Sequence, residues 1–160
     1  MTTRDEIVEA IRAVDARIDG LRERILARPD APLPEGTWCV RDALSHLAAR
    51  ANGVARVVAR AAPRASGAPP APPPRGIDEI NAGQVEERSD RTAAELLAEI
   101  SAGHAAAIAA LAGVDDATLA QEIPMGFRPG DIAVADMTLR GGPGHDGNHL
   151  DQVEAALTRS

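Results

Sequence analysis

The 160-residue chain has no lysine and no tyrosine, and one residue each of tryptophan, phenylalanine and cysteine. Aromatic residues favour strands, whereas the Ala and Leu that dominate the apolar set are strong helix formers. The composition therefore points to an all-α fold. All 17 basic residues are arginine, which reads as the base composition of a GC-rich genome. The formal net charge is −7, and no arginine run gathers on one face, so a nucleic-acid partner has no electrostatic footprint. The single cysteine, Cys39, excludes an internal disulfide and fits a reducing compartment. The first ten residues, MTTRDEIVEA, lack the apolar stretch of a secretory signal. No run is read as reaching the roughly 20 apolar residues that cross a bilayer. These absences lead to the expectation of a cytoplasmic protein with no membrane partner, folded as one domain over 1–160.

What is present is helical periodicity. Thr3 or Asp5 can cap a first helix running to about Arg28, with Ile7, Ile11, Val14, Ile18, Leu21 and Ile25 on one stripe. Thr37 can cap a second over about 38–61, with the stripe Val40, Leu44, Leu47, Ala51, Val54 and Val58. Residues 62–76, APRASGAPPAPPPRG, read as a proline-rich connection. Fifteen residues of polyproline at ~3.1 Å each reach about 45 Å, further than the roughly 36 Å of a 24-residue helix. The segment can return along the bundle, so the next long helix can run parallel to the second. A short helix over about 77–87 precedes another, capped by Ser89 or Thr92 and ending near Ala112. Residues 113–130 carry turn signals and read as irregular. A last helical region covers about 132–158, broken at Gly141-Gly142-Pro143-Gly144, with Pro143 read as the first residue of a terminal helix. Four long helices with a long crossover make a four-helix bundle.

Chemistry centres on the histidines. His145 and His149 stand four residues apart, so on a helix their rings share one face and can hold one metal ion. His46, on the second helix, is the candidate third ligand. Two solvent-facing histidines near a helix end are the alternative, and His46 sits at the edge of its apolar stripe beside Arg50. Asp146 lies inside the apolar stripe of the last helix. From there its carboxylate can fix an imidazole tautomer from behind the ligand, or interact with the helix N-terminus. Arg50, one turn after His46, can meet an anionic substrate or remain solvated. His104 has no partner at ligand spacing and reads as a surface or satisfied core histidine. Cys39, in the first turn of the second helix, is placed where a helix N-terminus lowers a thiol pKa, or is a small buried residue. Trp38 reads as a packing anchor. There is no phosphate-binding loop and no nucleophile elbow.

Two segments resemble the DinB-like superfamily of bundles, which includes YfiT-like proteins, bacterial thiol S-transferases and the N-terminal domain of mycothiol-dependent maleylpyruvate isomerase. Residues 34–47, PEGTWCVRDALSHL, are similar to the family's Gly-x-Trp…Asp-x-x-x-His-Leu segment. Residues 144–153, GHDGNHLDQV, are similar to its His-Asp-x-x-His-Leu-x-Gln-Ile segment. The resemblance implies an up-down-down-up bundle. It also implies a divalent metal, such as zinc or nickel, on His46, His145 and His149, with positions left for water or substrate, and in many members a homodimer. The Gly-Gly-Pro-Gly run departs from a continuous last helix and could displace His145 or open the cleft. Asp151 stands where iron-dependent sulfoxide synthases of this superfamily carry glutamate, so that activity is set aside.

Three readings follow. A metal on neutral imidazoles lowers the pKa of a thiol or of water, giving a thiol S-transferase or hydrolase acting on a small electrophile, with a low-molecular-weight thiol such as mycothiol as co-substrate. The second is a non-catalytic bundle that binds a small molecule, as in self-resistance. The third is a structural bundle with an empty metal site.

Overall fold

The computed structural model describes residues 1–61, 76–125 and 129–159. The chain forms α1 (Arg4–Ala27), α2 (Val40–Arg50), α3 (Gly53–Ala61), α4 (Ile77–Glu86), α5 (Ala93–Ala112), α6 (Asp116–Ala120), β1 (Glu122–Pro124), β2 (Asp131–Ala133), α7 (Val134–Leu139), a π-helical turn (Arg140–Gly144) and α8 (His145–Thr158). Capping chemistry sets two starts. Thr3 N–H donates to Glu6 at 2.7 Å, and the Thr3 hydroxyl accepts from Glu6 N–H. Thr92 and Glu95 repeat this reciprocal box at α5, so each helix satisfies donors its own ladder leaves free. The capping residues are thus Thr3 and Thr92, rather than Asp5 and Ser89.

The protein is a four-helix bundle of α1, α2–α3, α5 and α7–α8. α1 and α2 each pack against α5 and α8, so the first two helices of the chain lie diagonally. The apolar stripe of α1 is buried along its whole length. The core falls into two clusters. One joins the C-terminal half of α1 to α2, the start of α5 and α8, through Leu44, Leu47, Leu96, Ile100 and Leu150. The other joins the start of α1 to α3, the end of α5 and α7, through Ile7, Leu111 and Val134. Each fully buried side chain of this kind contributes roughly 1.5–3 kcal/mol.

Several sequence expectations need correction. The second helix starts at Val40 after Cys39, not after Thr37. Glu35 instead accepts from the backbone N–H groups of Thr37 and Trp38 and shapes a turn. The second helix also breaks at Ala51 and Asn52, where α5 comes very close. A Cβ on Gly103 would lie 2.5 Å from Ala51 Cβ and 3.2 Å from its carbonyl carbon. Residues 113–130 are not wholly irregular. They include α6, capped by Asp115, and β1, which pairs antiparallel with β2 in the register Glu122↔Ala133. Ile132 is therefore a strand residue, and the last helical region starts at Val134. Gly130, at φ 108°, turns this hairpin in the region that favours glycine. α5 does reach the length and composition of a membrane span, contrary to the sequence expectation, but α1, α2 and α3 pack against it as a core helix of the bundle. The crossover over 62–76 lies outside the described residues, apart from Gly76.

Gly103→Ala should lower stability by about 1–3 kcal/mol, because a rigid methyl and backbone, not a flexible side chain, stand in the way. Thermal unfolding should show a loss of several degrees. An unchanged midpoint would mean that α2 and α5 can separate at no cost.

Candidate metal centre

The bundle brings His46, His145 and His149 together. One candidate ligand atom from each lies within 4.8 Å of the others. The ring centroids are 5.2 Å apart for His46 and His145, 4.8 Å for His46 and His149, and 4.6 Å for His145 and His149. α2 supplies His46 and the first two turns of α8 supply the other two. His46 is 1% exposed, so the position at the edge of the α2 stripe is inside the bundle and not in water.

Two of the rings are held from behind by an oxygen, and the third faces a carboxylate. His46 Nδ1 donates to Gln84 Oε1 at 2.7 Å, and His149 Nδ1 donates to Gln152 Oε1 at 3.0 Å. His145 Nδ1 faces Asp146 Oδ1 at 3.6 Å. A donor proton fixed on Nδ1 leaves the lone pair on Nε2 for a metal ion. His46 Nε2 is buried and has no hydrogen-bond partner among the described residues, an orphan that a bound cation would satisfy. Burial, against the opposing effect of Gln84, pushes the His46 pKa down to about 4, and the nearby His149, Arg50 and His145 add to the shift. Burial and then His145 lower that of His149. Both rings are therefore in the neutral form that binds metal at neutral pH. Three imidazoles gathered in this way fit a divalent ion such as zinc or nickel.

Behind His145 lies a cluster of Asp146, His104 and Asp15 that the sequence showed only in part. Asp146 is 3% exposed. Its Oδ2 is 3.6 Å from His104 Nε2, and His104 Nδ1 donates to Asp15 Oδ1 at 2.6 Å. Asp146 thus lies both beside His145 and in the first turn of α8, the two placements foreseen for it. His104 is a satisfied core histidine, as the sequence allowed, bonded to Asp15 and also close to the carboxylate beside a candidate metal ligand. No spacing in the sequence joins Asp15, His104 and Asp146; only the packing of α1, α5 and α8 does. Burial opposes the charged form of His104, but Asp146 and Asp15 outweigh it and raise its pKa. Burial likewise opposes the Asp146 carboxylate, and His104 and His145 outweigh it and lower its pKa. Gln84, on α4, is a second residue that the sequence reading missed.

The Gly-Gly-Pro-Gly run does not displace His145. It forms the π-helical turn, with Gly142 outside helical geometry at φ −103°, ψ −109°, and α8 continues directly from it at His145. Gly142 thus breaks the helix where the sequence expected a break, and Pro143 follows it as the first residue of the resumed helix. Trp38 packs on the core and also walls the site, 5.2 Å from the His46 ring and 5.9 Å from that of His149. A cleft of about 560 Å³ opens at this wall, lined by Glu35, Trp38, Asn81, His149 and Gln152 among others. Burial, partly offset by Asp42 and Arg41 backbone bonds, raises the Cys39 thiol pKa, so the helix N-terminus does not activate it. Asp151 pairs with Arg17 at 2.7 Å on the exposed side of α8. Arg50 is not at the mouth. Its guanidinium donates to the Gly141 carbonyl and borders a different cavity.

These features define a DinB-like four-helix bundle with a three-histidine centre. The chain matches the family model of the mycothiol maleylpyruvate isomerase N-terminal domain over residues 8–140, and it belongs to that family. The matched segment includes His46 and ends before His145 and His149. Among solved structures the chain is similar to YfiT from Bacillus subtilis, described as a probable metal-dependent hydrolase with an unusual four-helix bundle topology. The two share 20% identity and a TM-score of 0.69, over 96% of this chain and 85% of that one. No curated protein matches.

Replacing His104 separates its two effects. His104→Ala should weaken zinc affinity by roughly 10–100-fold, the usual cost of losing a partner behind a ligand, as read by competition with a chromophoric chelator. An unaltered affinity would show that Asp146 holds His145 unaided. For stability, a raised folded pKa means that the imidazolium contribution is complete below the unfolded value near 6.5. It is lost as pH rises through the folded value. In metal-free protein His104→Gln should therefore cost more stability at pH 5.5 than at pH 9 in urea denaturation. Equal costs at both would mean that the ring never charges.

Proposed function

We propose that the protein is a metal-dependent enzyme that transfers a low-molecular-weight thiol to a small electrophile, or hydrolyses one, at the His46–His145–His149 centre. The observation that carries this reading is the set of three imidazoles beside a walled cleft, two held by a side-chain oxygen, the third facing a carboxylate, and one with an unpartnered buried Nε2. A divalent ion bound there supplies Lewis acidity, which makes a thiol or water nucleophilic at neutral pH. The protein's own residues bind and orient. Gln84 and Gln152 hold two of the rings, the Asp146 carboxylate faces the third, and Trp38 packs beside His46 and His149. The cleft at Trp38 and His149 admits the small molecule. Glu35, at that mouth, is occupied by two backbone N–H groups and is assigned no proton transfer. The name of the family and that of YfiT support thiol chemistry and hydrolysis respectively, and mycothiol is the first thiol to try.

Elemental analysis of the untagged protein should find about one zinc, nickel or similar ion per chain, lost in His149→Ala. With metal present, conjugation of a chromogenic electrophile by mycothiol or another small thiol, or hydrolysis of an activated ester, should proceed. Either activity should fall by at least about 100-fold in that variant, a loss of roughly 2.7 kcal/mol of transition-state stabilisation. No stoichiometric metal after incubation with zinc and nickel would sink the proposal. Metal retained without turnover on any of these substrates would instead favour a bundle that binds a small molecule.

A further inference from the structure

A second cavity, of about 320 Å³, lies at the junction of α2, α3, α5 and the π-helical turn. Three arginines, Arg50, Arg56 and Arg60, line it. Asp146 acts on Arg50 at longer range, but none of the three is in an ion pair among the described residues, in a chain that is acidic overall. Arg4, Arg12, Arg17, Arg22, Arg24, Arg41 and Arg88, by contrast, all form one. Residues 62–75 and 126–128 contain no Asp or Glu. The three guanidinium groups donate instead to the backbone carbonyls of Gly141, Ala49 and Pro124. Arg50 Nε is buried and has no hydrogen-bond partner among the described residues. Asp146 is the one acid on the cavity wall, and it is already engaged by His104. The rest of the wall is largely apolar, with Val54, Val57 and Met137 facing the same space.

Positive charge held together without ion pairing disfavours the compact state, and a bound anion relieves it. Arginine forks suit the planar geometry of a carboxylate. An apolar wall next to them selects an anion with a hydrocarbon body over an inorganic one, and the volume is at the small end for ligand sites. None of the three candidate metal ligands lines this cavity, so it is distinct from the cleft at Trp38.

We propose that this cavity binds a small organic carboxylate with a short apolar chain, gripped by Arg50 from inside and by Arg56 and Arg60 at the rim. The site does not depend on the proposed metal chemistry. It borders that centre through Asp146, which follows His145 in the chain, and through Arg50, which sits one turn after His46. A carboxylate bound here is therefore placed to be a substrate's anionic end or an effector of the centre.

The test is calorimetric titration of hexanoate at low ionic strength, with hexanol, hexylamine and inorganic phosphate as controls. The proteins are wild type, Arg56→Gln/Arg60→Gln and His149→Ala. Arg56 and Arg60 are exposed, so the double variant should fold, as circular dichroism can check. Hexanoate should bind wild type and His149→Ala alike, at least about tenfold more tightly than hexanol or phosphate. Hexylamine should not bind. The double variant should lose at least about tenfold in affinity, and added salt should weaken the wild type. The proposal is overturned if hexanoate does not bind, or if hexanol or phosphate binds as well. It is equally overturned if the double variant is unchanged, or if binding is lost in His149→Ala, which would place the carboxylate on the metal.

Discussion

The buried carboxylate of Asp146 is the constraint around which the bundle is arranged. A charge removed from water costs several kcal/mol unless it is paired with good geometry. Here the pairing draws on three helices. α8 brings Asp146 and His145, α5 brings His104, and α1 brings Asp15 to the far side of His104. Ala-rich faces with a helical apolar period can pack in several registers, since one small residue fits about as well as the next. A buried carboxylate cannot slide by a turn without losing its partners. The polar cluster also lies where the core divides into its two apolar clusters, so it marks a level in the bundle that both halves must share.

The π-helical turn serves the same end. Pro143 has no N–H to give and ordinarily disrupts a helix. Here Gly142 leaves helical geometry directly before it, so the chain kinks between α7 and α8 at the point where Pro143 would otherwise break a hydrogen bond. π-helical turns often occur where a helix must re-aim functional side chains. Here the turn ends at His145, the first of the candidate metal pair. Gly144 has little room for a side chain, since a Cβ would lie 3.0 Å from the Leu139 carbonyl oxygen. Arg50 donates to Gly141 within the same turn, tying the end of α2 to it. The part of the sequence that looked least suited to a helix is the part that sets the site's geometry.

The bundle and the histidine pair were legible from local signals, and His46 joined them through the family resemblance. The α1 stripe, the capping residues and the four-residue spacing of His145 and His149 are properties of neighbouring residues. The break at Ala51 was not legible, because its cause is the approach of Gly103 from another helix. The β1–β2 hairpin escaped notice because three-residue strands are too short to show a period. His104 escaped as a functional residue for a related reason. A histidine between Gly103 and Ala105 carries no ligand spacing, and its importance comes from Asp15 and Asp146, distant in the sequence. The same holds for the arginine cavity. Arg50 alone suggested an anion, but the lack of ion pairs to it and its neighbours is a property of the packing.

The three ring anchors differ in how firmly the fold holds them. Asp146 is buried in the core, and Gln152 lies on the same helix as the ring it holds, so His145 and His149 are oriented by α8 itself. His46 depends on Gln84, which α4 supplies. α4 has no fully buried residue, and Ile77 and Ile80 on it are exposed. Its main packing is against α2. Local stability follows buried apolar contact, so α4 is the least secured of the elements that build the centre. His46 has its Nε2 unpartnered and its pKa depressed by burial, and metal binding would remove the first of these costs. The ion and α4 therefore support the same residue from opposite sides. The metal needs α4 to present the His46 lone pair, and α4 gains a reason to stay docked once that lone pair is used.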